Sequence, residues 1–346
     1  MKRKLFLNYK TIIGFLISIL GLYLGFRKFD IEEFFEAMAG ANILFFFLAM
    51  AVMIFLILLR AWRWRYILFP VKKISLKRMF ETEMIGYFGN NVFPLRLGEF
   101  LRSYSLGKAE NISSVTAFGT IVVERVLDVF AFVFIMLIGA ITYDDMPGWV
   151  NKGAFAGLIG FAIFMILIIT LLLHGKNLEA YLREKFHKYS DTKIYQFIEN
   201  LVHGLIALKK NPHTLIIILQ SILIMVVNIF MFWVVGLVFN HYFDIPSLLL
   251  IYFITCAVIS IPSSPGYVGT YHAGAIGILQ FIGFELSSAQ AMAVIMHAVG
   301  FIPLTIIGGI YFMRYHININ EFEEEEVIKK EQMKEQQNKN VDSIGN

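Results

Sequence analysis

Two groups of residues in this chain could do chemistry. The first is the stretch Asn90-Asn-Val-Phe-Pro-Leu-Arg-Leu-Gly-Glu-Phe-Leu-Arg102. Asn90 and Asn91 supply amides, Arg96 and Arg102 supply cations, and Glu99 supplies a carboxylate. Pro94 breaks a helix and removes a backbone donor, while Gly98 permits close approach. Arginine suits bidentate binding of phosphate. The plainer alternative is that Arg96 and Glu99, three residues apart, neutralise each other at a packing junction. The second group is Glu124-Arg125-Val-Leu-Asp128. Glu124 and Asp128 share one helix face. Like charges there call for partners, and Arg96, Arg102 and Arg125 are the candidates. The pair reads equally as a charged cavity wall, as a proton relay, or as an ion-paired anchor.

A third stretch, Pro262-Ser-Ser-Pro-Gly-Tyr-Val-Gly-Thr-Tyr271, carries hydroxyls and flexible backbone without charge. Pro265-Gly266-x-x-Gly269 aligns with Pro94-x-x-x-Gly98, each glycine being followed at the second position by an aromatic residue. Two half-helices meeting at such a break would expose free N–H groups, which favour anions. Ser263, Ser264 and Tyr271 join this candidate set. His272 follows the stretch and His297 lies in the last apolar run; a lone histidine among apolar residues is first a hydrogen-bonded packing residue. No second ligand stands at metal spacing from either.

The surrounding chain is hydrocarbon-like. Of 346 residues, 58% are hydrophobic and 16% charged, with 34 phenylalanines. Soluble domains carry roughly 25% charge, so an all-α polytopic membrane protein is expected. A crossing needs about 20 mostly apolar residues. Six runs qualify: 11–27, 42–60, 115–142, 153–173, 213–239 and 287–313. Two more, 79–106 and 247–283, are apolar but broken by Pro and Gly. Lys and Arg number seven in 60–78 and seven in 174–212, but two in 27–41 and one in 143–152. That asymmetry places both termini in the cytoplasm. Parity then favours re-entrant broken stretches, the first from the cytoplasm and the second from outside; the alternative, a full crossing by each, would place a seven-charge loop outside. The expectation is six full spans plus two re-entrant helix hairpins in an inverted repeat, with halves 5–143 and 150–315. Repeats of this kind place the substrate between their broken helices.

Three peripheral features complete the reading. Segment 174–212 mixes charge with helical apolar spacing and is expected to lie amphipathically on the cytoplasmic surface. The membrane domain ends near 315, and 316–346 reads as a charged, disordered tail. Arg60, Trp62, Arg63, Trp64 and Arg65 at the end of the second run read as an interfacial anchor. The single cysteine, Cys256, rules out an internal disulfide, and no Walker, hydrolase or zinc-protease motif occurs. No enzyme activity, cofactor, metal or nucleic-acid partner is therefore expected.

Asn-x-x-Pro-x-Arg-x-Gly-Glu (91–99), Glu-Arg-x-x-Asp (124–128) and Pro-x-Ser-Pro-Gly-x-x-Gly (262–269) together resemble the membrane domain of lysylphosphatidylglycerol synthase/flippases. The resemblance covers about residues 5–315. It implies a prokaryotic cytoplasmic-membrane protein that moves a lipid between leaflets around paired re-entrant helices. The implied site residues are Asn91, Pro94, Arg96, Gly98, Glu99, Glu124, Arg125, Asp128, Pro262, Ser264, Pro265, Gly266 and Gly269. Many members place Glu where this chain has His272. The resemblance does not extend to the aminoacyl-transferase domain of the full synthase, so synthesis of lysyl-lipid is not expected. The expected partners are membrane lipids with an anionic or polyprenyl-phosphate-linked headgroup. A homo-oligomer and a cell-envelope enzyme partner are both compatible. The alternatives are a membrane transferase acting on a polyprenyl-phosphate carrier and a lipid-binding accessory subunit.

Overall fold

The structure is a computed structural model that describes residues 9–143, 146, 148–174 and 211–317. Almost all of the amphipathic segment expected at 174–212, and the tail after 317, lie outside the described residues. The described residues form eleven α-helices and no strand. In chain order they are α1 (Tyr9–Phe26), α2 (Ile31–Ala39), α3 (Ile43–Leu68), α4 (Leu76–Val92), α5 (Gly98–Glu110) and α6 (Ser114–Thr142). Then follow α7 (Gly148–His174), α8 (Thr214–Val238), α9 (Ile245–Ser260), α10 (Thr270–Phe281) and α11 (Leu286–Arg314). Helices α3, α8 and α11, of 26, 25 and 29 residues, are each long and apolar enough to cross a membrane.

All six apolar runs are helices, and both broken stretches are helix–turn–helix hairpins. In the first, the 3-10 turn Pro94–Arg96 separates α4 from α5; in the second, Pro265–Tyr267 separates α9 from α10. Proline opens each turn because its fixed φ suits the first position of a helical turn. Helix α2 was not expected. It is short and acidic, and it turns 81° away from α1. Asp30 caps it by accepting hydrogen bonds from the N–H groups of Glu32 and Glu33, a pattern that satisfies otherwise orphaned donors.

The packing crosses between the two halves of the chain. Helix α3 lies along α8, α4 packs on α11, α9 packs on α6, and the two 3-10 turns touch. The largest apolar cluster joins α8, α9, α10 and α11 to Ala49 of α3 and Ile135 of α6. A second surrounds Trp64 on α3. Many large side chains of α1, α3 and α8, such as Leu16, Phe47 and Leu215, are exposed, as expected of faces solvated by lipid.

Candidate functional site

The turns bring the two hairpins to one point. Each turn ends on a residue in the left-handed region: Arg96 with φ 56° and Tyr267 with φ 60°. For an L-residue that region costs roughly 1–2 kcal/mol, and such strain collects at functional sites. The Arg96 guanidinium sits 5.7 Å from the Tyr267 ring centroid, a cation–π contact across the two hairpins. Arg96 has no carboxylate partner among the described residues, so the plainer alternative, an Arg96–Glu99 pair, does not form. Nor does Arg96 reach Glu124 or Asp128. Arg96 and Glu99 instead both line a cavity of about 490 Å³ between the hairpins.

Close approach of backbone shuts the first hairpin and seats the second against α1. A Cβ on Gly98 would stand 2.0 Å from the Gly86 carbonyl oxygen, and one on Gly269 would stand 2.0 Å from that of Ser18. Gly269 also has φ 95°. The free helix N-termini expected at the breaks are partly occupied. The Gly98 N–H donates to Asn90 Oδ1 at 2.8 Å, and the Gly269 N–H donates to His272 Nδ1 at 3.4 Å. These caps remove one donor from each helix end that an anion would otherwise use.

Beside the turns lies a buried ion network. Arg102, 3% exposed, donates to both oxygens of Glu124, at 2.7 and 3.3 Å. It also lies 2.5 Å from Glu83 and 3.7 Å from the Trp64 ring centroid. Glu124 further meets Arg125 at 3.2 Å and Arg63 at 3.5 Å. Asp128 meets Arg63 at 2.7 Å, Arg60 at 3.1 Å and Arg125 at 3.3 Å. Four guanidinium groups thus face three carboxylates, leaving one positive charge. Arg60, Arg102 and Arg125 contribute to the cavity wall, so the excess is presented to whatever enters.

This network corrects the anchor assigned to Arg60–Arg65. Arg63 is 1% exposed and Trp64 fully buried. Arg63 reaches Asp128 and Ser221 across two helices, so α3 brings part of its basic end into the protein. Glu124, open to reading as a cavity wall, a proton relay or an ion-paired anchor, is wholly buried behind the cavity and ion-paired. Of the remaining expected residues, Asn90, Asn91, Gly98, Asp128, Gly266, Tyr271 and His297 line the cavity. Pro94, Pro262, Ser263, Ser264, Pro265, Gly269 and His272 do not, and act on the turns. The Ser264 hydroxyl donates to Val268 O, and its N–H donates to Ser18 Oγ at 2.8 Å. His297 Nε2 is 2.7 Å from Gly266 O, and its ring lies 4.7 Å from that of His272. Both histidines therefore brace the second turn. Asn91 ties the first hairpin to α11 by donating to Thr305 Oγ1 at 2.9 Å.

Sequence reasoning missed Glu83, Tyr87 and Tyr267, all in the cavity wall. The signal for Glu83 was present: Glu81-Thr-Glu83 is an acidic pair inside a broken apolar stretch. Glu81 serves elsewhere. It accepts from the Tyr315 hydroxyl at 2.6 Å, and Arg78 donates to the same hydroxyl at 2.7 Å. This ties the end of α11 to the start of α4. Burial raises the Tyr315 phenol above its ordinary range, so it stays a donor there.

The family described as "Lysylphosphatidylglycerol synthase TM region" matches residues 11–308. A UPF0104 membrane protein of Methanocaldococcus jannaschii is 26% identical over 315 residues, covering 86% of this chain and 93% of its own. Another, from Methanothermobacter thermautotrophicus, is 23% identical over 300 residues, covering 79% of this chain and 86% of its own. No solved structure matches the chain.

Proposed function

The chain belongs to the lysylphosphatidylglycerol synthase membrane-region family, and on that premise we propose that this multi-pass membrane protein carries a lipid headgroup between leaflets. The two hairpins are re-entrant, with six full spans around them and both termini in the cytoplasm. The halves form an inverted repeat. Three pairings support this: α3 with α8, α4 with α11 against α9 with α6, and turn with turn. Each is what a two-fold exchange of the halves would produce. Transporters built this way hold substrate between discontinuous helices.

The observation that carries the reading is Arg96. It is a cation on a strained turn, unpaired by any carboxylate among the described residues, in the wall of a cavity with net positive lining. An anionic phosphodiester headgroup supplies the missing partner, while its acyl chains stay in the bilayer. Broken backbone at membrane depth is tolerated because it lines this cavity. The test is leaflet exchange of fluorescent phosphatidylglycerol in proteoliposomes. The protein accelerates exchange, and Arg96→Ala abolishes it while melting like the parent. Exchange by Arg96→Ala at the parental rate would remove Arg96 from the mechanism.

A further inference from the structure

Glu83 is not explained by holding the fold or by holding a headgroup. It lies mid-way along α4, is 1% exposed, and contributes to the cavity wall. A buried carboxylate keeps its charge only when it is well paired and hydrogen-bonded. Glu124 and Asp128 each have three guanidinium partners. Among the described residues Glu83 has one, Arg102, and no well-aligned hydrogen bond reaches either of its oxygens. That partner is shared at a single atom: Arg102 Nη2 lies 2.5 Å from Glu83 and 2.7 Å from Glu124. Two carboxylates on one donor oppose each other's ionisation. Glu124 is held by two more arginines, so the proton goes to Glu83.

We propose that Glu83 couples the entry of an anionic headgroup to the uptake of a proton. The proposal rests on the transport reading above and adds its coupling. An incoming phosphate oxygen takes the Arg102 guanidinium from Glu83. The freed carboxylate, now beside a second anion, forms an O–H bond with a proton released by the solvent buffer, whose conjugate base stays in solution. The headgroup brings one negative charge and the proton cancels it, so the charge of the cavity is conserved. The charged and titratable groups around Glu83 favour this assignment. Arg60 and Arg63 on α3, and Arg125 on α6, are committed to Asp128 or Glu124. Tyr87 lies one turn along α4 in the same wall. From α5 comes Glu99, from the turns come Arg96 and Tyr267, and from α11 come His297, bonded to Gly266 O, and Tyr311, edge-on to Phe80.

The test is calorimetric titration of dioctanoyl phosphatidylglycerol into the purified full chain in detergent. It is run at neutral pH in two buffers of different ionisation enthalpy. The parent takes up about one proton per bound lipid, and Glu83→Gln binds lipid with almost none. Glu81→Gln, at a carboxylate tied to Tyr315 away from the cavity, keeps the parental uptake, and Glu83→Met, which also removes the carboxyl, serves as the second variant should Glu83→Gln not fold. Binding heats that are equal in the two buffers for the parent would overturn the coupling and leave the transport reading standing. Proton uptake kept by a folded Glu83→Gln, or lost in Glu81→Gln, would also overturn it. Absence of any binding by the folded parent would overturn the transport reading and the coupling with it.

Discussion

Glu124→Gln isolates the energetic centre of the ion network. Glu124 is wholly buried and meets Arg102, Arg125 and Arg63. Gln keeps the shape, removes the charge, and offers one acceptor where there were two. The three guanidinium groups do not suffer equally. Arg63 and Arg125 retain Asp128, at 2.7 and 3.3 Å. Arg102 loses its two-point partner and is left with Glu83 alone. The cost is therefore that of stranding one buried cation, about 3–5 kcal/mol, rather than three times as much. For a chain of this size that lowers the melting temperature by roughly 4–7 °C. The assay is intrinsic tryptophan fluorescence of the detergent-purified protein on heating. It reports the network directly, because Trp64 lies against Arg102. Glu124→Gln combined with Arg102→Met removes the stranded cation and recovers part of the loss. Melting of the single variant within 2 °C or so of the parent would refute the reasoning, since a buried pair cannot lose one partner cheaply.

Two further outcomes follow from the geometry. Gly98→Ala and Gly269→Ala drive a Cβ into a carbonyl oxygen, whereas a Cβ on Gly277, in the middle of α10, meets nothing within 4 Å. The first two lower the yield of folded protein in size-exclusion chromatography, and Gly277→Ala leaves it unchanged or better, by up to roughly 1 kcal/mol of helix propensity. Arg63→Ala leaves Asp128 with Arg60 and Arg125 but removes a buried guanidinium and its bonds to Asp128 and Ser221, and destabilises by about 1–3 kcal/mol. Arg65→Ala, two residues on and without an ion pair among the described residues, changes stability by less than about 0.5 kcal/mol in the same melting assay.

The sequence showed the helices better than it showed the depth of their charges. Hydropathy summed over some 20 residues gives a strong signal, so all six long runs were legible. Proline and glycine at 94, 98, 265 and 269 marked both breaks, because proline fixes φ and only glycine tolerates so close a carbonyl oxygen. Helix α2 was hidden by its length and its glutamates. Arg60 and Arg63 were misread because arginine beside tryptophan at the end of an apolar run is the usual mark of an interface. Only the distant Asp128 shows that they turn inward. The Glu81–Glu83 pair marked its stretch, but the role of Glu83 was hidden for the same reason: its partner Arg102 stands on the other limb of the hairpin. Local patterns report what a residue prefers, and the partners that overrule the preference lie elsewhere in the chain.

The most direct measurement is a high-resolution map of the full chain in nanodiscs containing phosphatidylglycerol. Headgroup density in the cavity, with its phosphate against Arg96 between the Pro94 and Pro265 turns, is the predicted result. A cavity holding only water, with lipid confined to the outer faces of the helices, would contradict the account.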